Sequence, residues 1–183
     1  MPEIRSWTEW SNDHSAHWSV EYPAQQCPQG HYITDFSWLQ YEHGFKDVKI
    51  KCSGMDWYKP PVGSKVHHDD FWTEVSFLMR TIIKDSRNNS AYFLTSQPQT
   101  CSDKGFSSVT GREYDHVWWG IVNAKTQCID SALEVEAGKM EYGEWNDKLG
   151  CKPNERLVGF HVRQDHTYVK LVNFRAQCGT IPN

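Results

Sequence analysis

Three segments of the chain, each ending at a cysteine, alternate between apolar and polar residues. The segments that close at Cys128 and Cys178 share one order: an Asp-His pair, a branched apolar residue followed by Val-Asn, a basic residue, and Gln-Cys. The segment that closes at Cys52 is a more divergent version. Because successive side chains of a strand point to opposite faces, each segment predicts a strand whose cysteine lies on the buried face. The basic residues three positions earlier then point outward; they are Lys49, Lys125 and Arg175.

Six cysteines divide the chain at nearly regular intervals. The separation is 25 residues for Cys27–Cys52, and 27 residues for both Cys101–Cys128 and Cys151–Cys178. Six cysteines allow fifteen pairings, but the recurring interval favours these three local disulfides. A zinc site would need closely spaced cysteine pairs, which the sequence lacks. Disulfides indicate an oxidising, extracellular compartment.

Two features of the sequence bear on secretion. Asn88-Asn89-Ser90 is an N-glycosylation sequon at Asn88. The first residues contain no apolar signal core, so we expect either numbering that begins after signal removal or an added Met1. A cytosolic location is the remaining alternative. Together with the cysteines, the sequon predicts a secreted, extracellular glycoprotein.

A second alternating stretch follows the first cysteine of each pair. It is clearest after Cys151, where Val158, Phe160 and Val162 alternate with glycine, histidine and arginine. Period-two alternation is typical of a half-buried strand. The matching stretches contain Ile33, Phe36 and Val109. From both sets of strands we expect a common buried group: Val122, Val158, Phe160, Val162, Val172 and Phe174.

The strands form three repeats, at about residues 7–58, 71–130 and 140–180. One strand pair cannot bury its apolar face alone, so three disulfide-linked repeats must share a core. The sequence therefore predicts a single all-β domain over residues 1–183 with pseudo-three-fold symmetry. Both a β-prism-like and a β-trefoil-like fold fit this pattern.

Residues 71–83 fit two secondary structures. Apolar residues at 71, 72, 75, 78, 79 and 82 have helical spacing, and Asp69 or Asp70 would be the N-cap. Apolar residues and threonine at 75, 77, 79, 81 and 83 alternate as in a strand. The content of Thr, Val and Ile and the β-rich neighbours favour the strand.

Charge and apolar content exclude two classes of partner. The chain has 19 Lys and Arg against 23 Asp and Glu, a net charge of -4, whereas nucleic-acid-binding proteins usually carry a basic surplus. No apolar run is long enough for a membrane-spanning helix, so we expect no membrane insertion. Aromatic residues are abundant, at 14% with nine tryptophans, and they suit sheet faces and surfaces that contact sugars or proteins.

Several short motifs resemble those of the dermatopontin family. Trp10-Ser11-Asn12-Asp13 and Cys27-Pro28-Gln29-Gly30 resemble its opening repeat, and Glu144-Trp145 with Leu157-Val158-Gly159-Phe160 resembles a later one. The resemblance implies a secreted adhesion or matrix protein that binds proteoglycans, sulfated glycans or cell-surface carbohydrates.

The chain also departs from that pattern. The family is richer in cysteine and closes a repeat with Arg-x-Trp-x-Phe-x-Cys, where this chain has Lys46, Val48 and Ile50 in its first repeat. Vitelline-membrane outer-layer protein, a three-repeat β-prism protein, is a weaker match with longer cysteine intervals.

The clearest candidates for a binding site precede the closing strands. Asp115-His116 and Asp165-His166 supply either hydrogen-bonding groups for a sugar, ligands for a cation, or turns that cap the strand entrance. Trp118-Trp119 would place one ring in the core and one in solvent, where it can stack on a sugar. The basic residues of the three closing strands, Lys49, Lys125 and Arg175, would form a column for sulfated glycans or simply aid solubility. The predicted glycan site comprises Asp115, His116, Trp118, Trp119, Lys125, Asp165, His166, Tyr168 and Arg175.

Catalytic and metal sites are not expected. His67-His68-Asp69-Asp70 contains ligand types, but adjacent histidines of a strand point in opposite directions, which favours a solvated loop. The sequence has no nucleophile elbow, P-loop, HExxH or glycine-rich nucleotide motif. We therefore predict a non-enzymatic glycan-binding or adhesion protein without cofactor or metal. The alternatives are a coat or matrix protein that self-assembles and, less favoured, a small secreted hydrolase.

Overall fold

All regular structure in the described part of the chain is β-sheet. In a computed structural model, the structure describes residues 2–14, 19–21, 23–41, 44–58, 81–84, 90–95, 98–101, 103–115, 119–138, 140–165 and 170–182. These residues contain fifteen strands and no helix. Consequently, no helix within them is suited to crossing a membrane. The all-β prediction is confirmed.

The strands form three five-stranded sheets. Sheet A has the order β1 (Arg5–Trp7), β15 (Lys170–Thr180), β14 (Glu155–Asp165) and β2 (Ser19–Glu21), with β3 (Gln25–Gln26) also paired to β14. Sheet B has the order β5 (Gly44–Cys52), β4 (Ile33–Tyr41), β7 (Ser90–Thr95) and β6 (Thr81–Lys84), with β8 (Gln99–Thr100) on β4. Sheet C has the order β11 (Glu134–Ala137), β10 (Ile121–Cys128), β9 (Phe106–Glu113) and β12 (Glu144–Trp145), with β13 (Leu149–Gly150) on β9.

The centre of each sheet is one antiparallel strand pair whose second strand contains a closing cysteine. These pairs are β4–β5, β9–β10 and β14–β15. Their registers correspond, because Ile33 lies opposite Cys52, Phe106 opposite Cys128 and Leu157 opposite Cys178. The predicted strand pairs are therefore present, and three sheets around one core are compatible with a β-prism-like or β-trefoil-like fold.

The three predicted disulfides are confirmed, and they join different sheets. Cys27–Cys52, Cys101–Cys128 and Cys151–Cys178 have Cα–Cα distances of 5.7, 5.5 and 5.6 Å. Each first cysteine directly follows a short strand of the neighbouring sheet: β3 in sheet A, β8 in sheet B or β13 in sheet C. Each second cysteine lies in the next sheet of that order, so the links run from A to B, from B to C and from C to A. Three disulfides are typical of extracellular proteins.

Glutamine side chains reinforce two of these junctions. Gln25 of β3 donates from Nε2 to the Val48 carbonyl at 2.9 Å, and its Oε1 accepts from the Ile50 backbone N–H at 3.0 Å. Gln99 of β8 donates from Nε2 to the Ala124 carbonyl at 3.2 Å. Each glutamine thus pairs with one sheet through its backbone and with the next through its side chain. The corresponding residue of β13 is Leu149, which is buried.

Aromatic rings from the three sheets meet in the core. The Phe36 ring lies 5.0 Å from Phe106 and 5.1 Å from Phe160, measured between centroids. Both contacts are edge-to-face, an arrangement that aromatic pairs favour. Trp38 packs on Phe45 at 4.8 Å and Phe174 at 5.9 Å, and its Nε1 donates to Gln99 Oε1 at 2.8 Å. The polar end of the buried indole is therefore satisfied.

Side-chain volumes compensate for one another across the sheets. In each central strand pair, one residue lies opposite the position four places before the closing cysteine. That residue is Trp38 in sheet B, Val162 in sheet A and Gly111 in sheet C. Trp38 is large, whereas Gly111 lies opposite the small Ala124. A Cβ added to Gly111 would lie 2.9 Å from Cζ of Phe174. The glycine therefore provides the space that the Phe174 ring occupies.

The predicted buried group is confirmed, but its strict alternation is not. Val122, Val158, Phe160, Val162, Val172 and Phe174 are all buried. However, register shifts leave Val122, Val158 and Val172 without a cross-strand partner. Their neighbours Ile121, Leu157 and Leu171 belong to the continuous core instead. These irregularities are β-bulges, which change which residues face inward.

The ambiguous segment is partly described. Thr81–Lys84 is strand β6, in agreement with the strand alternative for its last residues. Residues 71–80 and Asn88 lie outside the described residues, as do His67, His68, Asp69 and Asp70.

We expect Gly111→Ala to lower the free energy of unfolding by about 1–3 kcal/mol, because overpacking forces core side chains to shift. Gly150→Ala is the matched control in a neighbouring strand, since the nearest atom to its added Cβ is 3.9 Å away. The control should change stability by no more than about 0.5 kcal/mol, or stabilise slightly. Urea unfolding of both variants is the measurement. Equal stability of the two would contradict the packing of Phe174 on Gly111.

Candidate functional site

The structure describes five of the nine predicted glycan-site residues. His116, Trp118, His166 and Tyr168 lie outside the described residues. Asp115 is exposed and Trp119 is half-buried. The remaining three, Lys125, Asp165 and Arg175, belong to strands rather than loops.

Asp165 differs from the prediction. It is the last residue of β14, lies opposite Lys170 and is only 2% exposed. It is therefore not the exposed loop acceptor that the Asp-His pair predicts. The long β14–β15 pair extends to this point, so the strand includes a residue that the polar sequence assigns to a loop.

The ends of sheets A and C nevertheless come together around Lys170. Burial lowers the pKa of Lys170, and the carboxylates of Asp165, Asp115 and Glu113 oppose that shift. Gly120 lies against the backbone of Leu171, where a Cβ would collide with the carbonyl group. The close approach of these two segments at Gly120 places Asp115 and Asp165 near the ammonium group of Lys170.

An aromatic cluster lies beside Asp115. The Trp119 ring is 4.6 Å from Tyr114 and 6.2 Å from Tyr142, measured between centroids. Tyr142 is 59% exposed. Of these three rings, only Trp119 belongs to the site predicted from the sequence. Tyr142 comes from a separate segment before β12.

The motif Trp10-Ser11-Asn12-Asp13 holds the N-terminal segment against β15. The Ser11 backbone N–H donates to the Phe174 carbonyl at 2.8 Å, and Asn12 Nδ2 donates to the Val172 carbonyl at 3.1 Å. Asn173 Nδ2 in turn donates to the His14 carbonyl at 2.9 Å. These bonds secure the bulge at Val172, so Ser11, Asn12 and Asn173 have a structural role.

The three basic residues of the closing strands each lie on a tryptophan. Lys49 Nζ is 5.0 Å from the Trp57 ring centroid, and Lys125 Nζ is 4.3 Å from that of Trp145. The Arg175 guanidinium is 4.8 Å from Trp7. Such distances permit cation–π attraction. The three cations are half-buried and lie on three different sheets, so they form separate surface features rather than one basic column.

Sheet A carries the largest of these features, which we call the Trp–Arg stack: Trp7, Arg175, Trp10 and Arg163. Arg175 lies between the two indoles, 4.8 Å from Trp7 and 5.0 Å from Trp10. Arg163 also lies on Trp10, with its guanidinium carbon 3.6 Å from the ring centroid. The two arginines come from β15 and β14, whereas the tryptophans come from the N-terminal segment.

Two polar partners orient the guanidinium groups of the Trp–Arg stack. Arg163 donates from Nη2 to Glu21 Oε1 at 2.9 Å, and this hydrogen bond is the largest cause that lowers the pKa of Glu21. Arg175 donates from Nε to His161 Nδ1 at 3.1 Å. Sequence analysis identified Arg175 but missed Arg163, Trp7 and Trp10, because their proximity depends on how the N-terminal segment pairs with β15.

No protein-family model matches the chain, and no curated protein sequence is significantly similar to it. The resemblance to the dermatopontin family therefore depends on the short motifs alone. In the described ranges, no group of three or more His, Cys, Asp or Glu side chains is arranged to hold a metal ion.

The N-terminal segment also contacts sheet C through an ion pair that depends on pH. His14 Nδ1 lies 2.5 Å from Glu113 Oε2. The hydrogen bond with Glu113 is the main cause that raises the pKa of His14, and the carboxylates of Glu113, Asp115 and Asp13 add to it. A raised pKa means that folding stabilises the protonated form. The stabilisation is therefore complete below the unfolded-state pKa and is lost as pH rises through the raised pKa.

We expect wild type to be more stable than Glu113→Gln by up to about 1 kcal/mol at mildly acidic pH, as for other half-exposed pairs. The difference should disappear at alkaline pH, where His14 is neutral. Urea unfolding at low salt across this pH range is the measurement. Lys104→Gln is the control, since it removes the exposed Lys104–Asp130 pair and introduces no titration in that range. A pH-independent difference for Glu113→Gln would contradict the role of His14.

Proposed function

We propose that this chain is a secreted binding module that recognises anionic glycans, such as those of proteoglycans. The observation that carries the proposal is the Trp–Arg stack on sheet A. Two guanidinium groups lie on indole rings and are oriented by Glu21 and His161. Planar guanidinium groups bind carboxylates and sulfates through paired hydrogen bonds, and stacking fixes their orientation in advance.

Unused hydrogen-bond donors support this assignment. Arg175 uses Nε for His161, and Arg163 uses Nε and Nη2 for Glu21. Within the described residues, the two terminal nitrogens of Arg175 have no hydrogen-bond acceptor in the protein. A sulfate or carboxylate group can therefore accept from them without displacing a protein contact. The net charge of -4 does not oppose this, because local potential governs binding at a cationic site.

The scaffold suits a binding protein outside the cell. Disulfides at all three sheet junctions hold the outer faces in fixed positions, which limits the conformational entropy lost on binding. The pairs Lys49–Trp57 and Lys125–Trp145 give sheets B and C smaller cationic features of the same kind. Several contact points along one long glycan would raise its overall avidity.

Exposed apolar residues on sheet C favour a second candidate function, self-association as a matrix protein. Leu133 and Val135 are 78% and 51% exposed at β11 and the turn before it. Exposed apolar patches mark protein contact sites. Sedimentation at increasing protein concentration tests this function, and a strictly monomeric chain would exclude it.

We expect the double variant Arg163→Gln, Arg175→Gln to bind a sulfated glycan at least about tenfold more weakly than wild type. Charge-assisted hydrogen bonds contribute about 1.5–3 kcal/mol each, and a tenfold change corresponds to about 1.4 kcal/mol. Binding by wild type should also weaken with added salt, since salt screens exposed charges. A glycan array containing sulfated and unsulfated chains, followed by titration of the best ligand, is the measurement.

The matched control is Lys104→Gln, Lys148→Gln, which removes two positive charges from exposed side chains outside sheet A. It should bind within about twofold of wild type, because charges beyond the screening length contribute little. An equal loss in both double variants would show a general charge effect and exclude the Trp–Arg stack as the site. Asp115→Ala on the same array tests the separate loop prediction.

A further inference from the structure

A cavity with polar and apolar walls lies on sheet B, at the end of the sheet that contains Cys52. Its volume is about 390 Å³, and its lining residues are Thr34, Asp35, Lys51, Gly54, Met55 and Thr100. Small-molecule sites usually have volumes of about 300–1,000 Å³, so this cavity suits a ligand of modest size. We call it the Asp35 pocket. None of its residues belongs to the Trp–Arg stack.

Three pieces of backbone build the pocket. Thr34 and Asp35 follow the first residue of β4, Lys51 is the penultimate residue of β5, and Thr100 is the last residue of β8. The turn after β5 forms the remaining wall, where the Met55 backbone N–H donates to the Cys52 carbonyl at 3.1 Å. Gly54 permits this turn because its φ is +68°, a conformation that other residues rarely adopt. The Cys27–Cys52 disulfide joins the end of β5, directly before this turn, to the segment that follows β3.

Two threonines fix the orientation of the Asp35 carboxylate. Thr34 Oγ1 donates to Oδ1 at 2.7 Å, and Thr100 Oγ1 donates to Oδ2 at 2.7 Å. Each carboxylate oxygen can accept a second hydrogen bond. Asp35 therefore presents two acceptors whose positions are set before any ligand arrives.

Lys51 provides a cation in the same pocket. It is the cross-strand partner of Asp35, and oppositely charged partners of this kind commonly form ion pairs. Among the described residues, however, no ion pair within 4.0 Å joins Lys51 to Asp35 or to another carboxylate. Both residues line the cavity and are cross-strand neighbours, so a ligand in it has a carboxylate and an ammonium group within reach.

This combination of groups selects a ligand that donates and accepts hydrogen bonds at adjacent atoms. A hydroxyl group does both, and neighbouring sugar hydroxyls can reach Asp35 and Lys51 together. One negative and one positive side chain give the pocket no net charge, which favours a neutral ligand over an anion. Met55 adds an apolar edge, and it is 42% exposed. A sugar ring has both apolar C–H groups and paired hydroxyls.

We propose that the Asp35 pocket binds a single neutral sugar residue, whose adjacent hydroxyls bridge Asp35 and Lys51. This inference rests on the proposed glycan-binding function and extends it with a second, uncharged subsite. The same protein would then bind the anionic part of a glycan on sheet A and a neutral residue on sheet B. Added salt should weaken binding of the anionic part on sheet A and leave binding in the Asp35 pocket nearly unchanged.

The experiment is a titration of the full chain with free neutral monosaccharides: glucose, galactose, mannose, fucose and N-acetylglucosamine. Chemical-shift changes or calorimetry report the affinity. At least one sugar should bind, and its affinity should change less than about twofold with added salt, since no net charge is involved. Asp35→Asn and Lys51→Met should each weaken that binding at least about tenfold, as expected when a charge-assisted hydrogen bond is lost.

Matched variants separate local from general effects. Asp130→Asn changes an exposed carboxylate that pairs with Lys104, and it should bind the sugar as wild type does. Thr100→Val leaves both charges in place but removes one bond that orients Asp35, so its affinity should be intermediate. Thermal unfolding checks that each variant is folded. If Asp35→Asn does not fold, Lys51→Met and Thr100→Val still decide the outcome.

Several results would overturn the proposal. They are the absence of binding by any neutral sugar, unchanged binding in Lys51→Met and Thr100→Val, or preferential binding of a zwitterion such as glycine. The variant Arg163→Gln, Arg175→Gln separates this proposal from the proposed function. It should lose sulfated-glycan binding and keep neutral-sugar binding. If this variant loses only sulfated-glycan binding, the proposal for the Asp35 pocket stands. If wild type binds sulfated glycans but no neutral sugar, the proposal for the Asp35 pocket is refuted and the proposed function is not.

Discussion

Three short connecting segments each belong to two sheets, and the rest of the structure depends on this arrangement. Residues 25–27 pair with sheet A through β3 and are bonded to sheet B by Cys27–Cys52; residues 99–101 and 149–151 make the equivalent links from B to C and from C to A. The last link returns to sheet A, so the sheets form a closed ring around one core. In the chain-entropy model, closing a loop of about 25 residues contributes roughly 3–4 kcal/mol. That contribution acts where two sheets meet.

The closed ring explains how the three strand pairs can differ in sequence and still share a core. Protein interiors are closely packed, so a large residue in one sheet requires a small one in another. Trp38 and Phe174 are offset by Gly111 and Ala124 in sheet C. The dermatopontin-like pattern would place a tryptophan at Val48; here its cross-strand partner Trp38 fills that level of the core.

The outer faces combine residues from distant parts of the chain. Each basic residue of a closing strand meets a tryptophan that comes from elsewhere: Trp7 from the N-terminal segment, Trp57 from the turn after β5, and Trp145 from β12. The Asp35 pocket likewise combines β4, β5 and β8. Both proposed sites therefore lie mainly on strands of disulfide-linked sheets, which suits recognition by side chains fixed in advance.

The sequence by itself determined the all-β class, the strands that contain Cys52, Cys128 and Cys178, and the three disulfides. These are local properties, because a strand's two faces and a recurring cysteine interval can be read along the chain. Only the tertiary structure decided which strands share a sheet, where bulges exchange Val122 for Ile121 in the core, and why Asp165 is buried. It also decided which side chains accompany Arg175 and Asp35. One bulge reverses the phase of all residues beyond it, and contacts between sheets join residues whose separation along the chain carries no periodic signal.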